Sequence, residues 1–280
     1  MQEYLDKMQI DMELRNMSQT TIESYIKRVE VFLRHSQIPI PNITPDDFRA
    51  YVMYLMQDKK LSSGTINNYI SAFKFLYDIT LEKEWDKRKV PYMRGYKSLP
   101  AVLSKEEVFE IINSIKNLKH KAILMLMYGS GLRVSEAVKL KVSDIDSKNS
   151  QIFISKSKNR SDRYSILSKT NLELLRTYWL SFGKPKEWLF PGSNPKEHIN
   201  VKSVKNLVLK IKKNLGITKR ISAHTFRHCF ATHLLEDGTQ LTHIQQLLGH
   251  NCLKSTSKYL HMTSKAMMNI KSPLDSKEVT

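Results

Sequence analysis

The sequence predicts a mainly α-helical protein with a small β-hairpin or sheet, built as a helical first domain followed by a mixed α/β domain. Three observations predict it. Apolar residues recur at helical spacing along most of the chain. Two short runs, "QIFIS" and "RYSIL", alternate like strands around the polar turn "KSKNRSD". Basic charge is concentrated in the second part.

The first helical stretch, "SQTTIESYIKRVEVFLRHS", carries Ile22, Tyr25, Ile26, Val29, Phe32 and Leu33 on one face, with Thr20 and Glu23 spaced as a capping box. "NITPDDFRAYVMYLMQDKK" predicts a helix with Thr44 as N-cap and Pro45 at its first position. "LSSGTINNYISAFKFLYDIT" turns Ile66, Tyr69, Ile70, Phe73 and Leu76 inward. Residues 1–82 therefore read as a small all-helical domain. The segment 83–100 loses this periodicity and holds two prolines, a glycine and six basic residues, so it reads as a basic interdomain linker.

The second domain, 101–280, opens with Ser104 and Glu107 as a capping box. An apolar helix comes next in "KAILMLMYGSGLRVSEAVKL", broken at Gly129-Ser130-Gly131 and then restarted. After the hairpin, "VKSVKNLVLKIKKNLG" turns Val201, Val204, Leu207, Val208, Ile211 and Leu215 inward and its lysines outward. Residues 221–248 read as two helices, with Gly238 ending the first. A short apolar tail helix around Met267, Met268 and Ile270 is expected from about residue 262.

Charge narrows the partner. Residues 1–100 hold 15 basic and 13 acidic side chains, net +2, whereas residues 101–280 hold 30 and 14, net +16. A domain that basic points to a polyanion. No apolar run reaches membrane-spanning length and no secretory leader is visible, so the chain is read as cytoplasmic and nucleic acid is favoured over a lipid surface. Two cysteines, Cys229 and Cys252, exclude a disulfide framework.

"HTFRHCFATHLL", residues 224–235, puts three histidines, an arginine and a cysteine on one predicted helix. Its histidine spacing matches no common zinc motif, and Arg227 in their midst would repel the ion, so no metal is expected. Arg133, Lys156, His224, Arg227, His250 and Tyr259 have the chemistry to handle one phosphate. Singly, each is as well explained as a surface cation or a packed ring. His224 and Arg227, three apart, share a helix face. Phe226, Phe230 and Leu234 belong on the buried side, and His228, Cys229 and His233 read as packing.

Taken together, "AHTFRHCFATHLLEDGTQLTHIQQLLGHNCLKSTSKYLHM", "YGSGLRVSEAVKLKVSDID" and "IFISKSKNRSDRYSIL" resemble the signature boxes of the tyrosine recombinase, or phage integrase, family. The resemblance spans the second domain, and the first is similar to the family's core-binding, SAM-like domain. Two departures stand out: the hairpin reads "SKSKN" where the family usually has glycines around one lysine, and Phe226 replaces a usual leucine.

The resemblance implies a site-specific DNA recombinase or integrase. It implies Tyr259 as nucleophile, His224 as base, Arg133 and Arg227 as phosphate clamps, His250 as a further donor and Lys156 as general acid. Lys158 is the second candidate for the acid. Glu136 would orient the cations, and Lys202, Lys205 and Lys212 would join Lys158 in touching DNA. The chemistry implied runs through a 3′-phosphotyrosine and a Holliday junction in a tetramer on two DNA sites, without metal, cofactor or ATP; accessory proteins are not specified. A mobile-element integrase is favoured over a chromosome-dimer resolvase. A type IB topoisomerase is disfavoured by His224, where such enzymes generally carry lysine. A non-catalytic DNA-binding regulator is disfavoured by the six residues being intact.

Overall fold

A computed structural model describes residues 1–95, 101–155, 162–257 and 259–260. Lys156, Lys158 and the tail beyond residue 262 lie outside them. The chain divides into two compact units, Met1–Ser98 and Leu99–Thr280.

The first unit is helical: α1 (Gln2–Leu14), α2 (Gln19–Ser36), α3 (Pro45–Gln57) and α4 (Ser63–Phe75), which runs into a π turn over Leu76–Thr80. Helix α2 begins two residues earlier than the Thr20–Glu23 box implies. Ser18 is the N-cap, and its hydroxyl accepts from the Thr21 amide, because that pairing leaves Ile22 free to start the buried stripe. Thr44 caps α3 as expected, with the Asp47 carboxylate accepting from the Thr44 amide at 2.8 Å. Phe32, Phe48 and Phe73 form the centre, ring centroids 4.9–5.0 Å apart. Trp85 and Val90, from the segment read as linker, are buried in this same core.

The second unit contains α5 (Lys105–Asn113), α6 (Leu118–Gly129) and the short α7 (Val134–Val138). The antiparallel strands β1 (Ile145–Asp146), β2 (Gln151–Ile154) and β3 (Arg163–Ile166) form one sheet, in the order β1-β2-β3. Then come α8 (Lys169–Ser181), α9 (Val201–Asn214), α10 (Ala223–Glu236), α11 (Leu241–Leu248) and α12 (Lys254–Ser257). The Ser104–Glu107 box caps α5, with the amides of Glu107 and Ser104 each held by the other's side chain. Helices α8 and α10 pack on the apolar α6, and residues 225–233 of α10 are buried on every side.

Two glycines set the path of the chain on either side of α10. Gly131 ends the break after α6 with φ +62°, and a Cβ there would lie 2.4 Å from the Phe230 ring. Gly249 ends α11 with φ +60°, and a Cβ there would lie 2.7 Å from the Arg163 side chain. Both positions need a left-handed backbone and no side chain.

Candidate active site

Four elements converge in the second unit: the loop entering α7, strand β3, helix α10 and the segment after α11. The glycine break sets Arg133 immediately before α7, and one helical turn later Glu136 turns back. Its Oε2 accepts from the Arg133 amide at 2.8 Å and its Oε1 from Arg133 Nη1 at 2.6 Å.

Glu136 is the anion around which three guanidiniums gather. Arg163 Nη1 and Nη2 donate to its two oxygens at 3.0 and 2.7 Å, and Arg227 Nη1 lies 3.6 Å away. Burial opposes ionisation of Glu136, but the hydrogen bonds and charge of Arg163, then of Arg133, outweigh it and pull the carboxyl down to about 2. One carboxylate against three arginines leaves a surplus of positive charge that suits a phosphodiester.

Arg227 is only 1% exposed. Its Nη1 donates to the Gly131 carbonyl at 2.7 Å and its Nη2 to the Leu248 carbonyl at 2.6 Å. Burial, and then the charge of Arg133, lower its pKa to about 9, so it remains a cation at neutral pH. Nη2 also donates to His250 Nε2 at 3.2 Å, which makes that nitrogen an acceptor; His250 Nδ1 then donates to Thr256 Oγ1 at 2.9 Å.

Tyr259 is buried among Phe230, Ala231, Ile244 and Leu248. Burial raises its phenol pKa to about 12, against the lowering effect of Arg227 and Arg133. Its hydroxyl is 3.0 Å from His228 Nδ1. His224 lies one turn earlier on α10, exposed, with its ring edge-on to His228 at 4.7 Å.

The structure thus brings Arg133, Glu136, Arg227, His250 and Tyr259 together. His228, read from the sequence as packing, is buried and touches the Tyr259 hydroxyl. Arg163, not singled out in the sequence at all, is a central member. A hint was available: an arginine on the inward side of an alternating strand must find an anion. On α9, Lys202 and Lys205 are exposed and Lys212 half-buried. Among the described residues, no group of three His, Cys, Asp or Glu side chains is placed to hold a metal ion, and no helix is long and apolar enough to cross a membrane.

Comparison with known proteins places the chain in a family. Residues 101–266 match the phage integrase family, and residues 4–87 match the phage integrase N-terminal SAM-like domain. The chain is 38% identical over 270 residues to a Sinorhizobium fredii protein named as an integrase/recombinase, y4qK, covering 96% of this chain and 87% of that protein. It is 34% identical to the tyrosine recombinase XerA of Pyrococcus horikoshii, covering 91% and 87%. In fold it is similar to a solved XerH site-specific recombinase bound to its difH substrate after cleavage, with a TM-score of 0.72, 22% identity and coverage of 93% and 82%. The chain therefore belongs to the phage integrase family, the tyrosine recombinases, which cleave and rejoin DNA.

Proposed function

We propose that this chain cleaves and rejoins double-stranded DNA at a specific site with Tyr259 as nucleophile. The observation that carries the reading is one buried site in which Arg133 and Arg227 share the Glu136 carboxylate, Arg227 meets His250, and both arginines lie near enough to Tyr259 to oppose the rise of its pKa. Tyr259 Oη attacks phosphorus and forms a 3′-phosphotyrosine, and the 5′-oxygen leaves. Arg133 and Arg227 take the charge that develops on the non-bridging oxygens, where fixed donors are worth about 3–4 kcal/mol each. Glu136 and Arg163 hold those cations in place without touching DNA. His250 gives one more hydrogen bond once its Nε2 carries a proton, and Lys156 protonates the 5′-alkoxide. Reversal of the attack by another strand's 5′-hydroxyl completes exchange, so the bond energy is conserved without ATP.

The wider reading is a mobile-element integrase acting in the cytoplasm as a tetramer on two DNA sites through a Holliday junction. The net +16 of residues 101–280 supports DNA as the partner.

The deciding experiment traps the protein on a nicked site duplex in excess EDTA. The parent is expected to form a covalent adduct, whereas Tyr259→Phe binds equally and forms none. An adduct with Tyr259→Phe overturns the assignment of the nucleophile, and an adduct that needs added metal overturns the mechanism. Sequencing the trapped DNA separates element ends from a chromosomal resolution site.

A further inference from the structure

A histidine that gives a hydrogen bond to a phosphate must hold its ring in one plane and present one chosen nitrogen. Which nitrogen carries the proton is set by the hydrogen bond that the other makes. The main chain of His250 is fixed from α11: its amide donates to the Gln245 carbonyl at 3.1 Å, and the Gln245 side-chain amide donates to the His250 carbonyl at 2.9 Å. Those bonds place the backbone. They do not set the ring, which turns about its own side-chain bonds.

Thr256 supplies a partner for that ring. Arg227 Nη2 donates to His250 Nε2 at 3.2 Å, and a guanidinium only donates, so Nε2 presents its lone pair and Nδ1 carries the proton of the neutral ring. Thr256 Oγ1, 2.9 Å from Nδ1, accepts it. Thr256 is 0% exposed, so no water competes for its hydroxyl. Its main chain is held within α12 and the turn after it: the Thr256 amide donates to the Leu253 carbonyl at 2.8 Å, and the Thr256 carbonyl accepts from the Tyr259 amide at 3.0 Å. One residue therefore meets the ring of His250 with its side chain and the backbone of Tyr259 with its carbonyl.

We propose that Thr256 is a positioning residue: its hydroxyl fixes the His250 ring so that Nε2 faces the phosphodiester, and it ties that donor to the turn that carries Tyr259. This rests on the reading of His250 as a phosphate donor and of Tyr259 as nucleophile. A hydroxyl suits the task because it both accepts and donates. While Arg227 occupies Nε2, Oγ1 accepts from Nδ1–H. In a neutral ring with its proton on Nε2, the Thr256 hydroxyl donates to Nδ1 instead, and in the imidazolium Oγ1 goes on accepting. The ring thus keeps one partner and one plane in every protonation state it needs. A ring released from this contact can misplace Nε2 by about an ångström, a displacement that costs on the order of 10²-fold in rate.

The test measures single-turnover cleavage of a nicked site duplex by the full-length parent, Thr256→Val, Thr256→Ser, His250→Phe and the double variant Thr256→Val with His250→Phe. Valine keeps the shape of threonine and removes the hydroxyl, whereas serine keeps the hydroxyl. Thr256→Val is expected to bind the site within about threefold of the parent and to cleave about 10–100-fold more slowly, and Thr256→Ser should recover all but about threefold of that loss. His250→Phe should cleave about 10²–10³-fold more slowly, as for one lost donor. Adding Thr256→Val to it should change the rate by less than about twofold, because the two residues act as a unit. Cleavage by Thr256→Val at the parent rate overturns the proposal, and so does a Thr256→Ser variant as slow as Thr256→Val. A Thr256→Val deficit undiminished in the His250→Phe background is the mark of a packing defect in α12 and also overturns it. Should Thr256→Val fail to fold, ¹⁵N-histidine spectra of the DNA-free parent decide: the neutral His250 ring is expected to carry its proton on Nδ1, and a proton on Nε2 overturns the proposal. A parent that forms no adduct, or a His250→Phe variant as fast as the parent, overturns the reading of the site and the proposal with it. Failure of the Thr256 proposal alone is told apart from these, since it leaves the parent active and His250→Phe slow.

Discussion

Arg163 grips both carboxylate oxygens of Glu136, at 3.0 and 2.7 Å, while its Nε donates to the Leu247 carbonyl at 2.9 Å. One side chain thus joins strand β3 to α7 and to the end of α11. Glu136 is the keystone of this arrangement, since without its charge three guanidiniums would face one another.

Acid stability tests that role. The Glu136 carboxyl is lowered from 4.5 to about 2, so its contribution is fully present above about 4.5 and is lost as pH falls towards 2. A shift of that size corresponds to on the order of 3 kcal/mol. Glu136→Gln is expected to unfold at lower urea than the parent at neutral pH, and the gap should close as pH falls through that window. A gap that stays constant with pH would contradict the ion-pair account.

Gly131→Ala should harm cleavage more than stability. The substitution strains a left-handed backbone and drives a methyl against the Phe230 ring, which displaces the carbonyl that receives Arg227. Gly183→Ala is the control: its φ is +71°, with nothing within 4 Å of the added carbon. Both variants should lose about 1–2 kcal/mol from backbone strain. Only Gly131→Ala should also lose adduct formation, by tenfold or more on the scale of one weakened phosphate donor. Thermal melting and adduct yield, measured together, check this.

Salt should report the number of phosphate contacts. For the full-length protein, log affinity for site DNA is expected to fall linearly with log salt, by about 0.9 per phosphate neutralised. Lys202→Ala and Lys205→Ala should each make the slope shallower by about 1. A slope unchanged in both would remove α9 from the DNA interface.

The acid is separable from the base by chemistry at the leaving group. With sulfur in place of the bridging 5′-oxygen the departing thiol, with a pKa near 8.5, needs no proton. Lys156→Ala is expected to cleave normal DNA about 10²–10⁴-fold more slowly and 5′-thio DNA nearly as fast as the parent. Lys158→Ala should be mildly affected on both. Rescue of Lys158→Ala instead assigns the acid to Lys158.

Much of the fold is legible in the residues. Period and capping locate α3, α5, α9, α10 and α11, and alternation locates β2 and β3, because each carries its own amphipathic pattern. Helix α1 escapes that reading although Leu5, Met8 and Met12 are buried in it at helical spacing, and α8 escapes it because its inward stripe includes the polar Asn171. Trp85 and Val90 show why a segment without period can still be core: single side chains fill gaps between helices without forming one. The separate identities of the clamp residues are readable as motifs. The third arginine is not, since its role depends on the carboxylate it meets across 27 positions of chain. The contact of His228 with Tyr259 is likewise invisible in the sequence, since only the fold brings a residue 31 positions away against its ring.

The anchors of Arg227 come from carbonyls 96 and 21 positions distant, and that of Arg163 from one 84 positions distant. Two of these bonds cannot form before the polypeptide has closed loops of 84 and 96 residues, so the reactive centre is assembled late in folding. It is also exposed to early loss. Helix α11 is eight residues long, and fraying of its last turn withdraws Leu248 and His250 while the large core around α6 stays intact. Heating should therefore silence the enzyme reversibly several degrees before it melts. Hydrogen exchange should find the amides at the end of α11 opening through this local route, at a small fraction of the free energy that protects α6.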